Sequence, residues 1–391
     1  MARDPLDILC DNVQHLVGRE DLARKLASGR KLRIKLGVDP TRPDLTYGHM
    51  VVLSKLRQFQ DMGHEALFLI GDFTTTIGDP SGRSEARPVL TEEQIRINSK
   101  TYLEQTFKIL DPKKTTVRRN GEWFSAMSLG DMLLLAREMT VAQLLERDDF
   151  SKRYHGGTPI ALVEFLYPLL QGHDSVVLEA DVELGGSDQL FNMLVGRAMQ
   201  KSHAMEEQAV LCMPLLVGLD GVRKMSKSFD NYIAFNDSAR EMFGKIMSLP
   251  DGTMETYYRL LLGRGDDEIG QLKSLHPMEA KKLLAAELVA RFHGEVAAGA
   301  EREYFEKVFS SRETPEEMEE IDLRRLPAGA ASIVDVLALD GEFSSKNEIR
   351  RLIEQGAVRL NGERVGLADE LPQNLSGSVL QVGRRRFFRL R

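Results

Sequence analysis

Apolar runs and amphipathic stretches alternate along the early part of the chain, and their periods predict its elements. LRIKLGV at 32–38 is an apolar run that stops at Asp39-Pro40-Thr41, and a helical period follows from about 48 to 62. EALFLI at 65–70 reads as a second buried strand, closed by Gly71-Asp72. Strand, helix and strand in such quick succession predict a parallel βαβ unit. Residues 91–150 are mostly helical by period, and TEEQ at 91–94 is a capping-box sequence. An apolar helix over 160–171 precedes two more strand-like runs, 176–184 and 208–217, with a helix from about 188 to 200 between them. The order predicts an α/β fold, a doubly wound Rossmann-like parallel sheet whose halves are separated by a helical insertion.

After Asp230 the texture changes. Residues 235–325 are rich in helix formers and charge and offer no convincing strand. PAGAAS at 327–332 reads as a linker. A helix over 345–354, a turn at Gln355-Gly356, a strand over 357–360 and the hairpin signal Asn361-Gly362 then predict a small α+β module. The expected domains are therefore 1–229 with its insertion at about 91–150, a helical segment 230–328, and 329–391. The opening residues MARDPLDILCDNVQHL read as an amphipathic helix without the apolar core of a signal peptide.

Length and composition narrow the class. A chain of 391 residues suggests two or three domains, and 42% hydrophobic with 28% charged residues is an ordinary globular balance. A net charge of −7 argues against a broadly basic surface, so any nucleic acid must be held by local patches. Cys10 and Cys212 stand far apart with no CxxC, which gives neither a zinc site nor a disulfide framework and suits a reducing compartment. No apolar run is long enough to span a membrane, and the expected location is the cytoplasm.

Two stretches carry chemistry. In DPTRPDLTYGH, Asp39-Pro40-Thr41 ends a strand and Gly48-His49 opens a helix, the place where open α/β sheets collect ligands. Unpaired N–H groups and the dipole suit a phosphate there, Gly48 permits close approach, and His49 can donate to a phosphate or ribose oxygen. Alone, a Gly-His at a helix start is also an ordinary structural feature. Further on, Lys224-Met225-Ser226-Lys227-Ser228 follows a strand and a turn at Asp220-Gly221. Two lysines three residues apart on a mobile loop can close over a triphosphate and neutralise a leaving pyrophosphate.

A variant of the HIGH element after the first strand, with KMSKS after a late one, resembles the class I aminoacyl-tRNA synthetases. GDPSG at 78–82, YPLLQGHD at 167–174 and ELGGSDQLFN at 183–192 narrow the resemblance to bacterial tyrosyl-tRNA synthetases, over nearly the whole chain. The resemblance implies ATP, carrying Mg²⁺ as a substrate complex, with no protein-bound metal. It puts Thr41, Thr46, His49, Lys224 and Lys227 in the catalytic set. Asp39, Gly48, His49, Gly186, Asp188 and Lys227 would bind ATP, with Gly185 beside Gly186 letting adenosine approach.

For the amino acid it implies Asp79, Tyr167 and Gln171 around the ammonium, which needs a carboxylate and neutral acceptors. Asp174 would take the phenolic hydroxyl, Gln189 with Asp188 the ribose or the substrate carboxylate, and Lys35 and Gly37 would also line the tyrosine site. Without the resemblance, Asp79-Pro80-Ser81-Gly82 is an ordinary turn and Tyr167 with Gln171 a helix edge. The implied reaction forms tyrosyl-adenylate and transfers it to tRNA-Tyr. The implied assembly is a homodimer through the inserted helices, with no membrane or DNA partner.

The chain departs from the family at named positions. Thr46 stands where the first motif usually begins with histidine. Lys35 stands where many tyrosine enzymes place a tyrosine that touches the substrate hydroxyl, although one branch of the family shares the lysine. Leu36, Arg83 and His173 are further variants at or near the site. At the other end, 331–391 carry 10 Lys and Arg against 8 Asp and Glu, while the whole chain has 52 against 59, a modest shift toward RNA. SSKNEIRRLIEQGAVRLNGERV at 344–365 resembles an S4 RNA-binding domain, with Lys346, Arg350 and Arg351 on one helical stretch able to reach phosphates. The arginine-rich tail GRRRFFRLR fits RNA contact and a final strand equally. Two other readings remain open from sequence: a paralogue that activates a related amino acid, and a non-catalytic S4 RNA-binding protein.

Overall fold

The middle strands of the main sheet form where short, continuous apolar runs stand in the sequence. A computed structural model of the chain describes residues 3–79, 90–310, 318–326, 332–340, 343, 345–367, 369, 375–383 and 386–391. By backbone contacts it divides into Met1–Ala298 and Gly299–Arg391. Arg83, the Pro80-Ser81-Gly82 part of GDPSG, and 327–331 of the expected linker lie outside the described residues.

The first unit is built on six strands: β1 (His15–Val17), β2 (Arg33–Val38), β3 (Glu65–Ile70), β4 (Thr115–Arg119), β5 (Val182–Gly186) and β6 (Ala209–Met213). They lie in the order β1-β6-β5-β2-β3-β4. All pairs are parallel except β1 with β6. Helices on both faces bury the middle strands, which accounts for their unbroken apolar runs: Ala66, Leu67, Phe68, Leu69 and Ile70 are all buried. β2 lies between β3 and β5, so the winding reverses direction beside it, and a crevice opens at the carboxyl ends of these strands.

Several expectations need correction. The run 176–184 is not one strand. The helix Leu162–Val177 continues through Val176 and Val177, Glu179 turns the chain at φ 47°, and β5 starts only at Val182. The residues Val-Val-Leu fit a buried helix end as well as a strand, so period alone could not separate them. The strand expected over 208–217 is shorter, Ala209–Met213, and the helix expected from about 188 begins at Leu190 after a 3-10 turn.

The 91–150 insertion contributes β4, which adds to the sheet edge beside β3 with basic residues that suit an exposed edge. The opening segment forms only the short helix Pro5–Cys10 and then β1. The helix expected over 48–62, the strand over 65–70 and the Thr91–Gln94 capping box appear as read.

The second unit holds a five-stranded sheet: β7 (Glu319–Ile321), β8 (Val358–Leu360), β9 (Glu363–Arg364), β10 (Val379–Val382) and β11 (Arg386–Leu390), in the order β7-β11-β10-β8-β9. β7 corrects the expectation that 235–325 contains no strand. The Lys346–Glu354 helix, capped by Ser345, turns Ile349 and Ile353 into a core with Val358, Leu380 and Phe388. Asn361 and Gly362 both take positive φ, 49° and 89°, which is the backbone that this dipeptide favours in a tight hairpin. Within the arginine-rich tail, Arg386–Leu390 form β11, and Phe388 is fully buried. Lys346, Arg350 and Arg351 are exposed, with Lys346 paired to Asp335 at 2.7 Å.

One buried cation fastens the N-terminal segment to the sheet unit. Lys55, on the Tyr47–Asp61 helix, donates to the carbonyls of Leu9 (3.1 Å) and Asp11 (2.9 Å) and to Gln58 Oε1 (2.8 Å). Burial lowers its pKa to about 8. Lys55→Met strands these carbonyls without their donor, at an expected cost of about 1–3 kcal/mol. Thermal unfolding of the variant against the wild type measures it, and an unchanged midpoint contradicts this role.

Candidate functional site

The crevice beside β2 is a cavity of about 910 Å³. Four parts of the chain meet there: the carboxyl ends of β2, β3 and β5, the start of the Tyr47–Asp61 helix, the Leu162–Val177 helix, and the KMSKS loop. All the residues expected to act on ATP or the amino acid line it. Thr41, Thr46, Gly48 and His49 come from the loop and helix after β2, and Lys35, Gly37 and Asp39 from β2 and its end. Tyr167, Gln171 and Asp174 face it from one helix, Gly185, Gly186, Asp188 and Gln189 from β5 and the turn after it, and Asp79 from beyond β3. Leu36 lines it as well. His173 is not among the lining residues; its ring lies 5.8 Å from that of Phe124. Lys346, Arg350 and Arg351 belong to the second unit.

At the end formed by the Tyr47–Asp61 helix start and the KMSKS loop, the structure gives Thr46 a role that its residue type does not announce. Thr46 is the N-cap of the Tyr47–Asp61 helix, and its backbone N–H donates to His49 Nδ1 at 3.1 Å. Its Oγ1 lies 3.0 Å from the same nitrogen. With Nδ1 accepting, the neutral ring carries its proton on Nε2. Burial, and then the nearby Lys227, lower the His49 pKa to about 4. His49 is thus a neutral donor and not a cation. A Cβ on Gly48 would meet only ordinary contacts, Thr46 Oγ1 at 3.5 Å and Met225 O at 3.9 Å, so internal packing does not demand glycine there.

The KMSKS loop is tied down at its base. Asp220 accepts from the Val222 and Arg223 backbone N–H groups, both at 3.0 Å, and from Asn231, which also donates to Lys224 O. These bonds, led by the Val222 N–H, hold the Asp220 carboxyl down at about 2. Lys224 Nζ pairs with Asp188 at 3.0 Å. Lys227 Nζ donates to the Asp44 carbonyl and lies 6.0 Å from the Tyr102 ring centroid, and burial lowers its pKa to about 8. The chain after the loop pairs back onto the helix start: Tyr47 N–H donates to Ile233 O at 3.0 Å, and Phe235 N–H to Leu45 O at 2.9 Å. The two motifs are therefore one hydrogen-bonded assembly.

The opposite end is a polar network. Tyr167 OH donates to Asp39 Oδ2 at 2.9 Å, which leaves the phenolic lone pairs as acceptors. Thr74 Oγ1 donates to Asp39 Oδ1 at 2.9 Å. Gln189 Nε2 donates to Asp79 Oδ2 at 2.8 Å. Deeper in, Asp174 is buried and accepts from Trp123 Nε1 at 3.0 Å and Asn120 Nδ2 at 3.4 Å. Burial raises its pKa to about 7, against the pull of Lys35 and of those two donors. Lys35 is fully buried and donates to Gln171 O (2.9 Å) and Ser175 Oγ (2.8 Å), beside Glu183 Oε1 at 3.0 Å. Its three donors are thereby committed within the protein.

Sequence reasoning missed Trp123, Asn120, Thr74, Glu183 and Asn231. Glu183 stood inside a quoted motif, and Trp123 is the single tryptophan, but neither fact states a partner. Gly71 was also passed over as a simple turn residue. A Cβ there would collide with Asp39 Oδ1 and Thr74 Oγ1, so the Asp39–Thr74 contact requires glycine. By contrast, a Cβ on Gly37 would meet only Leu69 Cδ2, at 4.0 Å.

The His49 geometry has a spectroscopic consequence. At pH 7 the ring should be the Nε2–H tautomer, and it should not titrate above about pH 5. Nitrogen-15 ring shifts of the full chain read this directly, and an Nδ1–H ring or a midpoint near 6.5 contradicts it. Between those two pKa values the unfolded ring binds more protons than the folded one, so the His49 contribution to stability falls as pH drops through that window.

Among known proteins, the family model described as tRNA synthetases class I (W and Y) matches residues 27–310, and the S4 domain model matches 333–374. The tyrosine-tRNA ligase of Thermotoga maritima is 49% identical, with 99% of this chain and 97% of that protein covered. That of Geobacter metallireducens is 53% identical over 95% of this chain and 93% of its own length. The crystal structure of an Archaeoglobus fulgidus tyrosyl-tRNA synthetase complexed with L-tyrosine shares the fold at a TM-score of 0.63 and 22% identity, covering 76% of this chain and 97% of that one. With the matched segment running from before β2 to beyond the KMSKS loop, the chain belongs to the class I tRNA synthetases of the tryptophan and tyrosine group and carries an S4 domain.

Proposed function

We propose that this chain is a tyrosine-tRNA ligase, which activates L-tyrosine with ATP and transfers it to the 3′ end of tRNA-Tyr. The observation that carries the reading is that one cavity joins two ends of opposite chemistry. One end has the Gly48-His49 helix start and two loop lysines, which suits a triphosphate. The other has acceptors for an ammonium and, at its depth, a carboxylate for a hydroxyl. Relatives that are half identical over nearly their whole length carry the tyrosine-tRNA ligase name, which supports it.

In the first step a tyrosine carboxylate oxygen forms a bond to the α-phosphorus of ATP, and the bond from that phosphorus to the bridging oxygen breaks, releasing pyrophosphate. Asp79, Tyr167 and Gln171 hold the ammonium, and Asp174 takes the phenolic hydroxyl. Lys35 acts on Asp174 through its charge, since its own donors are committed to Gln171, Ser175 and Glu183. Gln189 and Asp188 serve the carboxylate and ribose, while Asp39 orients Tyr167.

His49 donates its Nε2 proton to a phosphate oxygen without becoming charged, with Thr46 fixing its tautomer and Thr41 beside it on the loop. Lys224 and Lys227 leave Asp188 and the Asp44 carbonyl for the leaving pyrophosphate, so their attraction grows with the developing charge. In the second step a ribose hydroxyl of the tRNA attacks the acyl carbon and AMP leaves. No group among the described residues could hold a metal ion with three or more His, Cys, Asp or Glu ligands; Mg²⁺ comes with the nucleotide.

The S4 domain, with Lys346, Arg350 and Arg351 exposed, holds the tRNA, and segment 230–328 lies toward its anticodon. The inserted helices support a homodimer, because Leu129, Leu133 and Leu134 are left exposed on one of them. No helix among the described residues is long and apolar enough to cross a membrane, and the enzyme works in the cytoplasm.

Two measurements test this. Lys227→Ala should lower tyrosine-dependent ATP–pyrophosphate exchange by about 100-fold or more while changing tyrosine affinity less than about twofold. Equal losses contradict the leaving-group role, and no exchange by the wild-type chain contradicts the activity itself. Tyrosine affinity should also weaken as pH falls through about 7, because Asp174 then takes up a proton and ceases to be a pure acceptor. Asp174→Asn should flatten that dependence. A wild-type affinity constant from pH 8 to 6 rules out Asp174 as the hydroxyl acceptor.

A further inference from the structure

Asn192 and Arg147 have no part in the mechanism above, yet both are buried against it. Arg147 follows the short helix Val141–Leu144 and is 6% exposed. Its Nε and Nη2 bond both oxygens of Asp149 at 2.6 Å, and its guanidinium lies 3.8 Å from the Phe150 ring centroid. The remaining nitrogen, Nη1, donates to Asn192 Oδ1 at 3.3 Å. Asn192, 1% exposed on the Leu190–Ser202 helix, donates from Nδ2 to Gln171 Oε1 at 3.1 Å and to Gln189 Oε1 at 3.2 Å. Gln171 Nε2 in turn donates to Glu183 Oε1 at 3.2 Å, and Gln189 Nε2 to Asp79 Oδ2 at 2.8 Å.

This chain of amides has a direction. An amide side chain has one donating and one accepting end of nearly equal shape, so only its partners fix which way it points. Arginine can only donate, which obliges Asn192 to present its oxygen to Arg147 and its NH₂ to the two glutamines. They must then present oxygen to Asn192 and NH₂ to carboxylates, which can only accept. Reversing any one amide brings two donors or two acceptors together in a buried place, where an unmatched group is costly.

We propose that Asn192, oriented by Arg147, is the positioning residue that fixes the amide polarity of Gln171 and Gln189, and so sets the affinity of the site for the substrate α-ammonium. The proposal rests on the tyrosine-activating reading above. Gln171 keeps its carbonyl oxygen on the side that an ammonium needs, and Asp79 is held in place by Gln189. Neither Asn192 nor Arg147 is among the residues that line the cavity.

Asn192→Asp is the sharpest probe, because it keeps the shape and replaces the donating end by an acceptor. In ATP–pyrophosphate exchange its KM for tyrosine should rise about tenfold or more, while kcat and the KM for ATP stay within about twofold. Inhibition by 3-(4-hydroxyphenyl)propionate, which is tyrosine without the amino group, should weaken far less than the KM for tyrosine rises. The ratio of tyrosine affinity to that of this analogue should therefore collapse.

A merely structural role would weaken both ligands together and leave the ratio intact, which overturns the proposal. Arg147→Met should shift the same ratio in the same direction, and should do nothing further in an Asn192→Ala background. It also carries the test if Asn192→Asp does not fold, and additive effects in the pair overturn the relay. If the wild-type chain gives no tyrosine-dependent exchange, the reading of the site falls and the relay falls with it. Normal wild-type exchange with an unaltered ratio in the variants removes the relay alone.

Discussion

A charge pair buried between the two middle strands holds the floor of the cavity together. Lys35 of β2 and Glu183 of β5 are register partners, and their side chains are 0% and 2% exposed. Ser175, Gln171 and Gln208 all donate to Glu183, while Lys35 also donates to the carbonyl of Gln171 and to Ser175. Removing one partner of such a pair leaves an uncompensated charge and typically costs about 3–5 kcal/mol. The pair sits where the winding of the sheet reverses. The helix that supplies Tyr167, Gln171 and Asp174 is thus clamped to the strands that supply Asp39 and the Gly185-Gly186 turn. Lys35 thereby braces the groups around it, its donors taken up by Gln171, Ser175 and Glu183.

Charge at the other end of the cavity is organised for release. Both KMSKS lysines are engaged, Lys224 with a carboxylate and Lys227 with a carbonyl, so neither charge sits unmatched near the cavity. The neutral His49 completes the arrangement, since a second fixed cation beside Lys227 would be repelled. Thr46 follows from the same logic: with the ring held neutral, the residue before Tyr47 serves the helix cap and the tautomer.

The sequence made some of this legible and hid the rest for definable reasons. β3 was readable to the residue because a parallel strand buried on both faces is an unbroken apolar run. The Asn361-Gly362 turn was readable because few dipeptides favour two positive φ values in succession. β1, β4 and β7 were missed because each is a short edge strand that draws its order from a neighbour and not from its own period. The motif residues reached one cavity, since strand ends and helix starts are where such motifs sit. Their orientation was not legible. That Asn192 faces Arg147 with its oxygen, or that Gly71 must lack a side chain, depends on residues far away in sequence.

The contrast between Gly37 and Gly71 bears on how this cavity could be reshaped. Both lie at the rim of central strands, but the space beside Gly71 is filled by Asp39 and Thr74, whereas among the described residues only Leu69 approaches the room beside Gly37. The fold therefore leaves room for a side chain at one glycine and none at the other. A side chain grown from position 37, which lines the cavity, would fit without moving the sheet. The same change at position 71 would unseat the carboxylate that orients Tyr167. In the shape of this cavity Gly37 is the free parameter and Gly71 the boundary condition.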